Sequence, residues 1–142
     1  MVINAYLGFN GNCEEAFKFY EKVLGGKIEA LARYGETPAA AQVPPDWKNK
    51  IIHARMSVGD NVLMGGDAPP DHYHAAAGMM VSVSVKEPAE AERIFKGLSE
   101  GGKVNMPIQE TFWAQRFAMW TDRFGTPWMV NCEKAQRADS AA

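Results

Sequence analysis

A chain of 142 residues, 46% hydrophobic and 23% charged, can bury roughly two thirds of the surface its unfolded form exposes, so it reads as one globular domain that needs no staples. A net charge of −2 with both signs interspersed lacks the footprint that a phosphate backbone requires, which excludes nucleic acid as a partner. The opening MVINAYLGF is too short an apolar run to span a bilayer and lacks the basic segment of a secretory signal, and Cys13 and Cys132 belong to no CxxC or Cys/His cluster; a cytoplasmic protein with reduced thiols and no membrane partner is expected.

The first predicted element is a short apolar strand in VINAYLGF. Asn12 is placed to N-cap a helix with Glu14 and Glu15 in its first turn and Ala16, Tyr20, Val23 and Leu24 as its apolar stripe. Gly25 or Gly26 ends it. A strand near Lys27 to Arg33 precedes GETPAAAQVPPDWKNK, a Pro-rich segment long enough to be expected as a mobile lid or an interface arm. IIHARMSV and NVLMGG then form a hairpin turning at Gly59-Asp60-Asn61. Residues 68–77 read as a linker, whose His72 and His74 stand at i and i+2 with no cysteine or second histidine pair, so they read as a solvated loop and not a zinc site. MMVSVSV is the next strand. The second helix starts at Pro88, carries Ala91, Ile94, Phe95 and Leu98 as its stripe and stops at Gly101 or Gly102. KVNMPIQETFW and a second hairpin, AQRFAMWT with PWMVNCE, turning through Asp122 to Gly125, complete the domain; residues 134–142 are expected to fray.

The two halves repeat. Sliding one helix over the other sets Glu15 on Glu90, Ala16 on Ala91, Tyr20 on Phe95 and Val23 on Leu98, and one further residue superposes the two Gly-Gly-Lys stretches. Each half is strand, helix, three strands, with too few layers to bury a sheet alone. YLGFNGNCEEAFKFYEKVLGG, IIHARMSVGDNVLMGGD and QETFWAQRFAMWTDRFGTPWMVN, in that order, resemble the PhnB-like branch of the vicinal oxygen chelate superfamily, which includes glyoxalase I, extradiol dioxygenases, fosfomycin resistance proteins and bleomycin-binding proteins. The resemblance spans Ile3 to Glu133 and implies an α+β fold: two tandem βαβββ modules, about 1–67 and 78–133 within one domain of 1–133, forming a cupped mixed sheet with the helices outside. A methyltransferase activity has also been attached to this branch, but no glycine-rich loop follows a strand here to hold S-adenosylmethionine.

Aligning the hairpins at Val58 and Thr121 sets Ala54, Met56 and Val58 level with Phe117, Met119 and Thr121 as the face beneath the helices. Alternation then sends His53, Arg55 and Ser57, with Arg116, Ala118 and Trp120, to the opposite face, which in this superfamily lines the ligand cup. Trp113, Trp120 and Trp128 are expected to wall an apolar pocket with Arg116 as its anionic anchor; the competing reading is that Phe112, Phe117, Phe124 and Trp128 are core packing. Arg55 and Met80 join the expected ligand-binding set, and His53 is the candidate proton donor or acceptor.

Metal-dependent members of the superfamily place His, Gln or Glu on the first and last strands of each module. The corresponding places here fall near Ala5, Met64, Met80 and Met129, none of them a hard ligand, so neither a metal nor another cofactor is expected. Methionines would instead line the cleft with adaptable surface. The resemblance therefore implies a glyoxalase-like, metal-independent small-molecule-binding protein of unassigned substrate, working as a homodimer. The alternative is a metal-dependent lyase, isomerase or dioxygenase, or a resistance protein of the bleomycin or fosfomycin type.

Overall fold

The computed structural model of the chain describes residues 1–135. It divides into two units, Met1–Ala76 and Ala77 onward, and each unit runs strand, helix, three strands. This is the α+β arrangement of two βαβββ modules. The tail expected over 134–142 lies, beyond Ala135, outside the described residues.

The first unit consists of β1 (Ala5–Phe9), α1 (Cys13–Leu24), β2 (Lys27–Arg33), β3 (Ile51–Val58) and β4 (Asn61–Asp67). The sheet order is β1-β4-β3-β2, with β1 parallel to β4 and the other pairs antiparallel. Ala16, Phe17 and Tyr20 bury one face of α1, and the rings of Phe9, Phe17 and Tyr20 pack together at 5.9 to 6.5 Å. Gly65 sets how closely α1 approaches the sheet: a Cβ there would stand 2.8 Å from the Leu7 carbonyl and 2.9 Å from the Phe17 ring. Gly25, with φ of 70°, ends the helix in the left-handed region that glycine adopts at least cost.

The helix start differs from expectation. Asn12 occupies the cap position but its side chain makes no capping hydrogen bond, and its buried Oδ1 has no hydrogen-bond partner among the described residues. Asp67, arriving at the end of β4, takes that role by accepting the Gly11 and Cys13 amides on Oδ1 at 3.0 and 2.9 Å. Its Oδ2 accepts the Ile51 amide at 2.8 Å, so one buried carboxylate joins β4, the start of α1 and the start of β3. The Pro-rich segment expected as a lid folds into three short 3-10 turns, Tyr34–Glu36, Pro38–Gln42 and Pro45–Trp47. Gly35 donates its amide to the Lys48 carbonyl at 2.8 Å, Trp47 is buried edge-on to Tyr34, and the Tyr34 hydroxyl donates to the Asp67 carbonyl at 2.6 Å. The segment is thereby tied to the end of β4.

The second unit consists of β5 (Val81–Ser84), α2 (Pro88–Ser99), β6 (Lys103–Gln109), β7 (Ala114–Thr121) and β8 (Pro127–Glu133), in sheet order β5-β8-β7-β6. Ala91, Ile94 and Leu98 are buried as expected. After Ser99 the backbone makes a type II turn, with Glu100 at φ −59° and ψ 124°, Gly101 at φ 73°, and the Gly102 amide donating to the Ser99 carbonyl at 2.9 Å. That turn accounts for the extra residue in the second Gly-Gly-Lys offset. Between β7 and β8, Asp122 accepts the Phe124 and Thr126 amides on Oδ1 and the Trp128 indole N–H on Oδ2, at 2.8 to 3.0 Å.

One expected assignment of faces is reversed. Ala54 and Met56 are fully buried and, with Val58, lie on the helix side of the first sheet, as expected. In the second sheet the helix side carries Ala118 and Trp120, with Trp128, Val130 and Cys132 opposite them on β8. Trp120 is wholly buried edge-on to Phe95 of α2, with ring centroids 5.4 Å apart. Val58 closes its hairpin through the tight Gly59-Asp60 turn, whereas Thr121 pairs with Pro127 across the longer turn built on Asp122. Aligning Val58 with Thr121 is therefore off by one residue, and because side chains alternate with period two, the slip inverts every position on β7.

Candidate functional site

The face of each sheet turned away from its helix carries the polar and aromatic groups that core packing does not use. In the first unit, Tyr6 of β1 pairs in register with Met64 of β4, which pairs with Arg55 of β3, and Ala30 pairs with Arg55 from β2. His53 is two residues before Arg55 on the same face. The Tyr6 and His53 rings stack at 5.8 Å with 20° between their planes, and the Tyr6 hydroxyl lies 3.4 Å from both His53 Nδ1 and the Ile52 carbonyl. Gly66 makes that overlap possible: a Cβ there would come within 2.7 Å of the Ile52 carbonyl and 3.0 Å of the Tyr6 hydroxyl. Gly8, Ala30 and Ala32 leave the rest of the floor low, and a Cβ at Gly8 would meet nothing within 4 Å.

Electrostatics at this face are unevenly satisfied. Arg55 donates its Nε to Glu29 at 3.2 Å, and its Nη1 and Nη2 have no hydrogen-bond partner among the described residues. His53 Nε2 has none either. The Glu29 carboxyl is held below its usual range by the Ser57 hydroxyl first and the Arg55 guanidinium second. Partial burial, and then Cys13 and Tyr34, push the Tyr6 phenol up, so it remains a neutral donor at physiological pH. Cys13, at the start of α1, is fully buried, and burial followed by the Asp67 and Glu14 charges raises its thiol far above the usual range; it is no nucleophile.

In the second unit the corresponding face carries a row of methionines, Met106, Met119 and Met129, paired in register across β6, β7 and β8, with Ser82 of β5 beside Met129. The next row holds Phe117 and Asn131, and the buried Asn131 Oδ1 has no hydrogen-bond partner among the described residues. Trp113, 41% exposed, packs edge-on to Phe117 at 5.2 Å and to Phe112 at 4.7 Å.

The expected site residues therefore separate. Arg55 and His53 stand together on the open face of the first unit; Trp113 stands on the open side of the second; Met80 lies just before β5 and is 42% exposed. Trp120 and Trp128 are core residues beneath α2, not pocket walls, as the competing packing reading had it for Trp128. Arg116 also lies on the helix side, where its Nε donates to Glu92 of α2 at 2.9 Å. The guanidinium on an open face is Arg55. Tyr6, Met106 and Met119 went unassigned to the open face from sequence, whereas Met129 was placed there; the parallel pairing of first and last strands that the βαβββ order demands would have placed Tyr6 beside Met64.

The donor set bears on the metal implied by the fold. Register puts Tyr6, Gly8, Met64 and Gly66 on the open face of the first unit's outer and last strands, and Ser82, Ser84, Met129, Asn131 and Glu133 in the second, instead of the expected Ala5 and Met80. Glu133 is the one hard ligand of the usual type in this set, and among the described residues no group of three or more His, Cys, Asp or Glu converges. These residues do not fit a hard divalent ion.

The family model described as the glyoxalase/bleomycin resistance protein/dioxygenase superfamily matches residues 2–130. The chain belongs to this superfamily. Protein YjdN of Escherichia coli (strain K12) is 34% identical over 146 residues, covering 96% of this chain and 98% of that protein. The crystal structure of protein PA1353 from Pseudomonas aeruginosa is 50% identical with a TM-score of 0.87, covering 95% of this chain and 99% of that one. The putative 3-demethylubiquinone-9 3-methyltransferase, PhnB protein, from Bacillus cereus shares the fold at 24% identity and a TM-score of 0.77, over 93% and 99% of the two chains. So does the fosfomycin resistance protein FosX of Listeria monocytogenes, crystallised with Mn(II) and a dihydroxypropylphosphonic acid, at 6% identity and a TM-score of 0.65, over 94% and 93%. Within the glyoxalase superfamily this chain thus keeps the scaffold while presenting phenol and thioether groups at the first- and last-strand positions where hard ligands are otherwise expected, with an imidazole and a guanidinium on β3 of the first unit. Such a set can stack on, hydrogen-bond and ion-pair with a small molecule.

Proposed function

We propose that this glyoxalase-superfamily protein binds a small organic molecule without the help of a metal. The observation that carries the reading is the open face of the first unit, where Tyr6, His53, Arg55 and Met64 surround a floor of glycine and alanine. A sheet face built for packing would fill that floor with branched or aromatic side chains. Here the side chains stand at the rim, and among the described residues Arg55 Nη1 and Nη2 and His53 Nε2 meet no protein partner. The methionine row of the second unit supports the same reading, since thioethers give flexible, polarizable surface suited to apolar ligands. We also propose a cytoplasmic location, supported by two free, buried cysteines; no helix among the described residues is long and apolar enough to cross a membrane.

A native mass spectrum of freshly purified, untagged protein tests the reading. An organic adduct that dissociates on activation and is lost in His53→Ala or Met64→Ala supports it. A bare polypeptide mass, unchanged after incubation with a library of small organic acids and amides, contradicts it. We also propose a homodimer, supported by the exposed apolar groups Met79, Val104 and Phe112; light scattering that returns a monomer at micromolar concentration would count against it.

A further inference from the structure

The open donors of the first unit share one chemical preference. Arg55 spends its Nε on Glu29 and keeps the planar Nη1/Nη2 edge, the edge that takes two oxygens side by side. On the same face His53 is held by its stack on Tyr6, with Nδ1 turned to the phenol and Nε2 left outward. Neither an ammonium nor a simple hydrocarbon would satisfy these groups, since the guanidinium donates, and the outward imidazole nitrogen donates once Nδ1 accepts the single phenol proton of Tyr6. Met64, in register between Tyr6 and Arg55, supplies an apolar seat beside them.

We infer that this face is an oxyanion-recognition subsite: it seats the carboxylate of a small organic acid on the Arg55 edge, with His53 hydrogen-bonding to it through Nε2, Tyr6 holding the imidazole in that orientation, and the apolar body lying against Met64. The inference rests on the small-molecule reading above and adds the ligand's charge and polarity. Glu29 has a part in it. By holding Arg55 at Nε it fixes the plane of the guanidinium, so that less side-chain freedom is lost when a carboxylate docks. The site recognises a planar anion and needs no electrophilic metal to do so.

The test compares phenylacetate with its neutral isostere phenylacetamide, by calorimetry and by ¹⁵N spectra that resolve the Arg55 Nε and His53 ring resonances of the full chain. Phenylacetate is expected to bind and move both resonances. Arg55→Gln and Arg55→Lys, each lacking the planar cationic fork, are expected to weaken it by roughly tenfold or more. Phenylacetamide is expected to bind more weakly and to be indifferent to either substitution. The Arg55–Glu29 pair is half exposed, so both variants should melt close to the parent and loss of fold will not mimic loss of binding. Equal binding of the two probes, unaffected at Arg55, overturns the oxyanion subsite while leaving the small-molecule reading standing. Binding of neither probe overturns the subsite as well, and the adduct measurement above then decides the broader reading separately.

Discussion

Replacing Asp67 by alanine should cost this protein a large share of its stability. The carboxylate is 3% exposed and accepts three backbone amides, from Gly11 at 3.0 Å, Cys13 at 2.9 Å and Ile51 at 2.8 Å. Alanine leaves all three donors facing a hole. A buried donor stripped of its partner costs about 1–3 kcal/mol, and the Cys13 and Ile51 amides are of this kind; the Gly11 amide is only partly buried and adds about 0.5 kcal/mol once water reaches it. The sum is about 4 kcal/mol, against the roughly 5–15 kcal/mol that holds a typical domain. In a chain of this size that corresponds to a fall in Tm of roughly 8–16 °C. Asparagine in the same place keeps an acceptor for Gly11 and Cys13 but turns an N–H toward the Ile51 N–H, so about half the loss is expected. Urea and thermal melts of the parent, Asp67→Ala and Asp67→Asn at neutral pH give the comparison. A loss below about 1 kcal/mol for alanine would show that water or Asn12 takes over the capping role, and would refute the reasoning.

Glu14 receives both terminal nitrogens of Arg33, at 3.0 and 2.9 Å, and lies 3.1 Å from Lys18, which together pull its carboxyl from 4.5 to about 2. A lowered folded-state value adds stability above the ordinary carboxylate value and loses it as pH falls toward about 2, so Glu14→Gln should flatten the acid side of the stability profile in that window; an unchanged profile would contradict it. Trp120→Ala empties a core site beneath α2 and should cost about 3–5 kcal/mol by denaturant melts. A near-neutral melt with a selective loss of ligand binding would instead return Trp120 to the pocket. Gly66→Ala forces a Cβ into the Ile52 carbonyl and the Tyr6 hydroxyl; the stack on His53 should open, seen as a changed His53 ring resonance, with a stability loss of about 1–3 kcal/mol.

Much of the fold is legible because helix and turn signals are local. The Pro88 start, the glycine stops and the Gly59-Asp60 turn each depend on a few adjacent residues, and the duplication let each half check the other. The faces of the second sheet were not legible for the opposite reason. Their phase is set by how many residues the Asp122 turn consumes and by the irregular register between Ala114 and Arg116, features that only pairing across strands reveals. Sequence density of tryptophan near Arg116 suggested a pocket, but a large aromatic and a cation next to each other in a strand project to the same side only if their separation is even. Trp120 and Arg116 do share a side, and it is the side that α2 covers. Asp67 was invisible as a cap because its partners stand 54 to 56 residues earlier and 16 residues earlier in the chain. The Tyr6–His53 stack likewise joins residues 47 apart, through the parallel pairing of β1 with β4.

The most direct test of the central claim is elemental analysis of untagged protein, followed by thermal melts in Mg, Mn, Ni and Zn and then in phenylacetate with chelator present. With Tyr6, Met64, Ser82 and Met129 in place of hard ligands, we expect no stoichiometric metal, no metal-induced rise in Tm, and a phenylacetate-induced rise that survives chelation. Stoichiometric metal, or stabilisation by one of these ions that disappears when an open-face residue such as Glu133 or His53 is replaced, would contradict the account and place the protein among the metal-dependent members of its superfamily.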